Sequence, residues 1–144
     1  MNVLVVGDGP QRLQLMQLAS TLQHHVEFVG SLARSDVAQL MATTRCLVVP
    51  SLWQEPFGIV ALEALASGCT VIASRIGGLT EAGGPYASYF PPGDTNTLAS
   101  LLQAHLEPCK PEKLESKTSY LAQFSIQRVA DHYLDAIRTA MEDA

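Results

Sequence analysis

Five short, mainly apolar runs punctuate this chain: Val3–Val6, Val26–Val29, Cys46–Val49, Thr70–Ala73 and Ser88–Phe90, each followed by sequence of helical period. Runs of four or so residues that are apolar on both faces are too short for helices and read as strands buried on both sides. The segment from Gln11 to about Gln23 places Leu15, Leu18, Ala19 and Leu22 at core spacing. Ser35 can cap a helix whose inner face is Val37, Leu40 and Met41, and Asp94-Thr95-Asn96 can cap another over Thr97 to about Leu106. The tail predicts a polar helix near 112–123 and an amphipathic one from Ser125 through Ile126, Val129, Tyr133 and Ile137. Parallel strands joined by helices need right-handed crossovers, so the fold class is α/β with a doubly wound, mostly parallel sheet. Ligands in such sheets bind beyond the carboxyl ends of the strands.

At 144 residues the chain is expected to form a single domain over 1–144, with C-terminal helices at about 112–141. It shows no linker, internal repeat, low-complexity run or leader, and its apolar stretches are too short to span a bilayer. Nine Lys+Arg against 14 Asp+Glu give a net charge of −5 with no basic stripe, which argues against a nucleic-acid partner. Three cysteines, Cys46, Cys69 and Cys109, suit a reducing compartment, and the expected location is cytoplasmic.

The chemistry concentrates between Pro50 and Gly68. Glu55 and Glu63 are the only carboxylates in this long apolar stretch. A stranded carboxylate needs a cation, hydrogen-bond donors or a ligand, because burying it unpaired is costly. Cys46–Val49 is the strand, Pro50–Gln54 the loop leaving its carboxyl end, and helical sequence follows at once. Pro56 suits the first helical position, Gly58 lets a ligand approach the first turn, and Gly68 closes the helix. Glu55 therefore lies at a helix entrance whose free N–H groups attract anions, with Glu63 about two turns in.

Pro50-Ser51, Glu55-Pro56-Phe57-Gly58 and Glu63 resemble the donor-binding motif of retaining GT-B glycosyltransferases, the family-four group. Gly68-Cys69-Thr70-Val71-Ile72-Ala73 and Gly77-Gly78-Leu79-Thr80-Glu81 continue the resemblance, with Thr70 where proline is usual. So do Val5-Val6-Gly7-Asp8-Gly9-Pro10 and Val26–Gly30 upstream, and Phe90–Asp94 and Phe124-Ser125-Ile126 downstream. The blocks cover essentially the whole chain. The resemblance implies the carboxyl-terminal, nucleotide-sugar half of a GT-B fold, transferring a sugar with retention to a carbohydrate or lipid-linked acceptor.

Carried over residue by residue, Glu63 would accept hydrogen bonds from the ribose hydroxyls, and Glu55, the catalytic candidate, would face the transferred sugar. Backbone N–H groups of Phe57, Gly58 and Ile59 would reach the sugar and diphosphate, while Ser31, Leu32 and Ser51 would frame the base. No cofactor is implied. The sequence has no Asp-x-Asp pair and no His/Cys cluster of ligand spacing, so no metal is expected, and charge on the departing diphosphate would be stabilised by the protein. Structural alternatives stay open: Glu63 in an ion pair with Arg75 or Arg45, Glu55 as a helix cap, His24 and His25 closing a helix, His105 and His132 solvated, and Trp53 packed on the last helix. Gly7-Asp8-Gly9 reads as a turn, since Arg12 stands where a dinucleotide fingerprint needs its third glycine.

The family's carboxyl-terminal half starts with a Gly-Arg-Leu loop and a Lys-Gly that neutralise the diphosphate, and this chain resembles that half from its second strand onward. Each such cation is worth on the order of a hundredfold to a thousandfold in rate, so the expectation is little transfer by the chain alone. Expected partners are a nucleotide-sugar and an acceptor domain or partner chain, with a homodimer possible. The alternative function is a non-catalytic nucleotide-sugar-binding or protein-interaction module. Without the first strand-helix unit, Val3–Val6 and Cys46–Val49 are expected to pair directly and close one five-stranded sheet, the other route being a strand from another chain.

Overall fold

The protein is described here by a computed structural model that covers residues 2–106 and 114–142. Cys109 and the beginning of the helix expected near Glu112 lie outside the described residues. The chain divides into two compact units, Met1–Leu40 and Met41–Ala144.

In the first unit, β1 (Asn2–Val6) and β2 (His25–Gly30) form a parallel two-stranded sheet on either side of α1 (Arg12–Ala19). The register runs from Asn2↔His25 to Val5↔Phe28 and then slips to Val6↔Gly30, so Val29 bulges out of the ladder. The Gly7 N–H continues the pairing to Gly30 O at 2.8 Å. Gly7-Asp8-Gly9 leaves β1 as a loop, with the Gly9 N–H on the Asp8 carboxylate at 2.9 Å, and the turn itself follows, closed by the Arg12 N–H on Gly9 O at 3.1 Å. Arg12 ties α1 to the sheet by donating to Phe28 O at 3.3 Å, and its guanidinium lies 3.7 Å from the Asp8 carboxylate. α1 stops four residues short of the expected end. Ser20 and Thr21 turn their hydroxyls onto Gln17 O and Leu18 O, offering those carbonyls an alternative to the helical ladder. His24 therefore does not close a helix, and His25 opens β2.

α2 (Arg34–Thr43) leads on to β3 (Cys46–Val49), α3 (Ile59–Ala66), β4 (Thr70–Ser74), α4 (Leu79–Gly83), β5 (Ala87–Phe90), α5 (Thr95–Leu106), α6 (Leu114–Ala122) and α7 (Ile126–Glu142). β3, β4 and β5 make a parallel sheet in that order, in register Cys46↔Thr70 and Val71↔Ala87. α3 packs on β3 and β4, α4 on β4, and α5 on β4 and β5. The central strand is sealed: Val71, Ile72, Ala73 and Ser74 are all fully buried, with Ala61, Ala64, Leu65, Leu79, Ala82 and Phe90 around them. Asp94 caps α5 as its sequence predicts, accepting from the Thr97 N–H at 3.0 Å, the Thr97 hydroxyl at 2.6 Å and the Asn96 N–H at 3.1 Å. Those donors, the Thr97 hydroxyl foremost, hold its carboxyl below the usual carboxylate range.

The strands are all parallel and alternate with helices, as the α/β reading requires. The expected ladder between Val3–Val6 and Cys46–Val49 does not form. Among the described residues β1 pairs with β2 in one sheet, and β3 with β4 in another. β1 and β3 are thus both edge strands.

Candidate functional site

The site grows from the carboxyl end of β3. Val49 is buried and anchors the strand; the chain then leaves the sheet at Pro50-Ser51. The Ser51 hydroxyl donates to Glu55 Oε1 at 2.9 Å, which holds the half-buried carboxylate against the strand end. Glu55 is also gripped through its backbone, its carbonyl accepting from the Gly78 N–H at 2.8 Å. The loop after β4 is thereby laid directly on the loop after β3.

Only glycine permits that approach. A Cβ on Gly77 would overlap the backbone of Glu55, and one on Gly78 would run into the backbone of Pro56 and Phe57. Gly58 is different: its φ of +85° is left-handed, and a Cβ there would come within 2.6 Å of the Leu79 side chain. Gly58 serves as the N-cap of α3, which begins at Ile59. Pro56, expected at the first helical position, lies outside the helix instead. The left-handed residue breaks the helical path between them, and Pro56 helps shape the preceding bend. The first turn of α3 then presents the backbone at Gly58, Ile59 and Val60 at the rim, with Ile59 exposed.

α3 puts Ala61, Ala64 and Leu65 into the core and leaves Glu63 half-buried on another face. Ser67 bonds back to Glu63 O at 2.8 Å, and Gly68 at φ +83° ends the helix, as its position predicts. Ser51, Glu55, Phe57, Gly58, Ile59 and Glu63 are thus gathered on one strand-loop-helix segment of the second unit. Ser31 and Leu32 belong to the first unit, exposed in the loop between β2 and α2.

Several residues take unforeseen parts. Arg75, considered as an ion-pair partner for Glu63, lies over the Tyr89 ring at 5.1 Å. The Tyr89 hydroxyl reaches the carbonyls of Gly84 at 3.0 Å and Thr80 at 3.2 Å, so it ties down α4. Burial pushes that phenol's pKa up, the Tyr120 phenol adding to the effect. His105, expected to be solvated, sits 2.8 Å from the Ser88 hydroxyl. Trp53, expected to pack on the last helix, is 59% exposed. The buried Ser74 hydroxyl, at the end of β4, has no hydrogen-bond partner among the described residues. The Arg75–Tyr89 and Ser88–His105 contacts join residues distant in sequence, and no local pattern signals them.

The family model for glycosyl transferases, group 1, matches residues 1–107. The chain belongs to this family. The phosphatidyl-myo-inositol mannosyltransferase of Mycobacterium leprae is 33% identical over 107 residues, 73% of this chain and 28% of that protein. Sucrose-phosphate synthase from Thermosynechococcus elongatus superposes with a TM-score of 0.77 at 29% identity, over 98% of this chain and 39% of that one. Anabaena HepE, crystallised with UDP-glucose, gives a TM-score of 0.65 at 31% identity, over 83% of this chain and 33% of that one. This glycosyl transferase chain spans less than two fifths of each of these relatives. Among the described residues, no helix is long and apolar enough to cross a membrane.

Proposed function

We propose that this chain is the donor-binding part of a retaining glycosyltransferase that moves a sugar from a nucleotide diphosphate to a carbohydrate or lipid-linked acceptor. The observation that carries the reading is the interlock of the two loops. Gly77-Gly78 clamps the backbone of Glu55-Pro56-Phe57, and the first turn of α3 follows directly from that clamp, with Glu55 before it and Glu63 after it in the chain. Such a turn suits a diphosphate, since its N–H groups and the helix dipole both favour negative charge. Glu63, a turn deeper, offers two oxygens to a ribose diol. Glu55, fixed by Ser51, faces the sugar. Ser51 would face the base. The similarity to HepE, a protein seen with UDP-glucose, supports a nucleotide-sugar as ligand.

In this reading the protein itself stabilises the leaving diphosphate, no metal is needed, and the reaction belongs in the cytoplasm. Calorimetry of the chain with UDP-, GDP- and ADP-sugars tests donor binding. Glu63→Ala is expected to weaken nucleotide binding by about 1–3 kcal/mol, because it strands the ribose hydroxyls. An unchanged affinity together with a lowered melting temperature would assign Glu63 to structure and sink the ribose role.

A further inference from the structure

Four aromatic rings cross the second unit in a ladder that starts in the donor loop. Phe57 lies 5.6 Å from Phe124 at 56°, Phe124 lies 5.2 Å from Tyr120 at 70°, and Tyr120 lies 5.2 Å from Tyr86 at 52°. These tilted and edge-on separations are those at which aromatic quadrupoles attract. Tyr120 lies in the last turn of α6 and Phe124 just beyond its end, so the ladder joins the C-terminal part of the unit to the loop after β3.

The same segment also grips the other loop. The Tyr120 hydroxyl donates to Glu81 O in α4, the helix that Gly77-Gly78 leads into, and its ring occupies space that a Cβ on Gly84 would fill. Burial, and then the Glu81 charge, raise the Tyr120 phenol above its usual pKa. α6 packs on α3 as well. The donor loop has two side-chain anchors: the Ser51–Glu55 hydrogen bond on one side and the Phe57 ring on the other. Gly58 follows directly after them, has no side chain of its own, and its left-handed backbone is held by its neighbours.

We propose that Phe124 and Tyr120 form a brace that positions the donor loop: Phe124 holds Phe57, and through it the Gly58-Ile59 backbone, where the sugar diphosphate is received. The brace rests on the donor-binding reading of that loop. Phe124 is a positioning residue and touches no ligand. Its influence falls on the diphosphate and sugar, whereas the ribose contact comes from Glu63 on the packed body of α3.

The test compares UDP-glucose with uridine on the full chain, by titration calorimetry and NMR. Phe124→Ala is expected to weaken UDP-glucose by about two- to tenfold, the worth of one aromatic pair, and to leave uridine unchanged. Phe124→Leu, which keeps volume, is expected to fall between the wild type and Phe124→Ala. Amide hydrogen exchange gives a readout free of ligand: Phe124→Ala should strip protection from Phe57–Ile59 while the β4 amides keep theirs. Equal weakening of both ligands, or unchanged exchange at Phe57–Ile59, overturns the brace. A wild-type chain that binds no nucleotide overturns the donor reading instead, and the brace then stands or falls on the exchange result.

Discussion

β4 buries its apolar side chains completely, whereas β1, β2 and α1 leave theirs half-buried or exposed. Val71, Ile72, Leu65 and Leu79 are sealed, but Leu13 and Leu18 of α1 are 74% and 61% exposed. Gly30 is the one buried residue among the described residues of the first unit. Both units use the same strand-helix-strand grammar. The difference is that the second has a strand paired on both edges and helices packed on its sheet, while the first has two strands, each with an unpaired edge. Area removed from water is what stabilises such layers, so rigidity belongs to the second unit, and the interlocked loops are built there. In the first unit, Ser31 and Leu32 lie exposed in the loop after β2.

The sharpest break of this comparison is a pair of truncations. Ile72→Ala is expected to cost about 2–5 kcal/mol in denaturant unfolding, as large-to-small changes in a closed core do. Leu18→Ala should stay within about 0.5 kcal/mol, as surface changes do. Equal losses would mean that the first unit has a core after all.

A second pair sets glycine against glycine. Gly78→Ala forces a methyl into the Pro56-Phe57 backbone, at a cost of about 1–3 kcal/mol, and should weaken UDP-glucose binding in calorimetry. Gly9→Ala meets nothing within 4 Å at a φ that alanine accepts, so a gain of about 0.4–1 kcal/mol is expected from the stiffer unfolded chain. Loss at both positions would show the Gly7–Gly9 loop to be as tightly built as the donor loop.

The smallest effect concerns the thiols of the closed unit. Burial, with a smaller contribution from Cys69, pushes the Cys46 thiol up to about 11, and burial raises Cys69 as well. The thiolate is the nucleophile, so Cys46 should alkylate slowly at pH 8 and quicken only as pH nears that value. A pKa higher in the folded state means stability fully present below the unfolded value of 9.0 and lost as pH rises through about 11. Mass-mapped alkylation against pH checks this; rapid labelling of Cys46 at pH 8 would show that β3 opens readily.

Much of the second unit could be read locally. The apolar runs of β3, β4 and β5, the Asp94 cap and the Gly68 stop depend on neighbours a few residues apart, and the structure has each of them. The two carboxylates stood out because an apolar surrounding makes a charge conspicuous. Pro56 misled because proline at the first helical position is a local rule, while Gly58, lacking a Cβ, takes a left-handed turn with Leu79 packed where a side chain would stand. The length of α1 was misjudged because hydroxyls of Ser20 and Thr21 compete for helix carbonyls without disturbing the apolar period.

The sequence by itself determined the α/β alternation, the family and the segment that carries the candidate chemistry, since periodicity, turn residues and stranded charges act over a turn or two of chain. Tertiary structure alone decided which strands share a sheet, that Gly77-Gly78 fits against Glu55-Pro56-Phe57, and that Phe124 reaches Phe57. Those pairings join residues far apart along the chain. They depend on shape and on the entropy of closing long loops, and no short-range pattern encodes either.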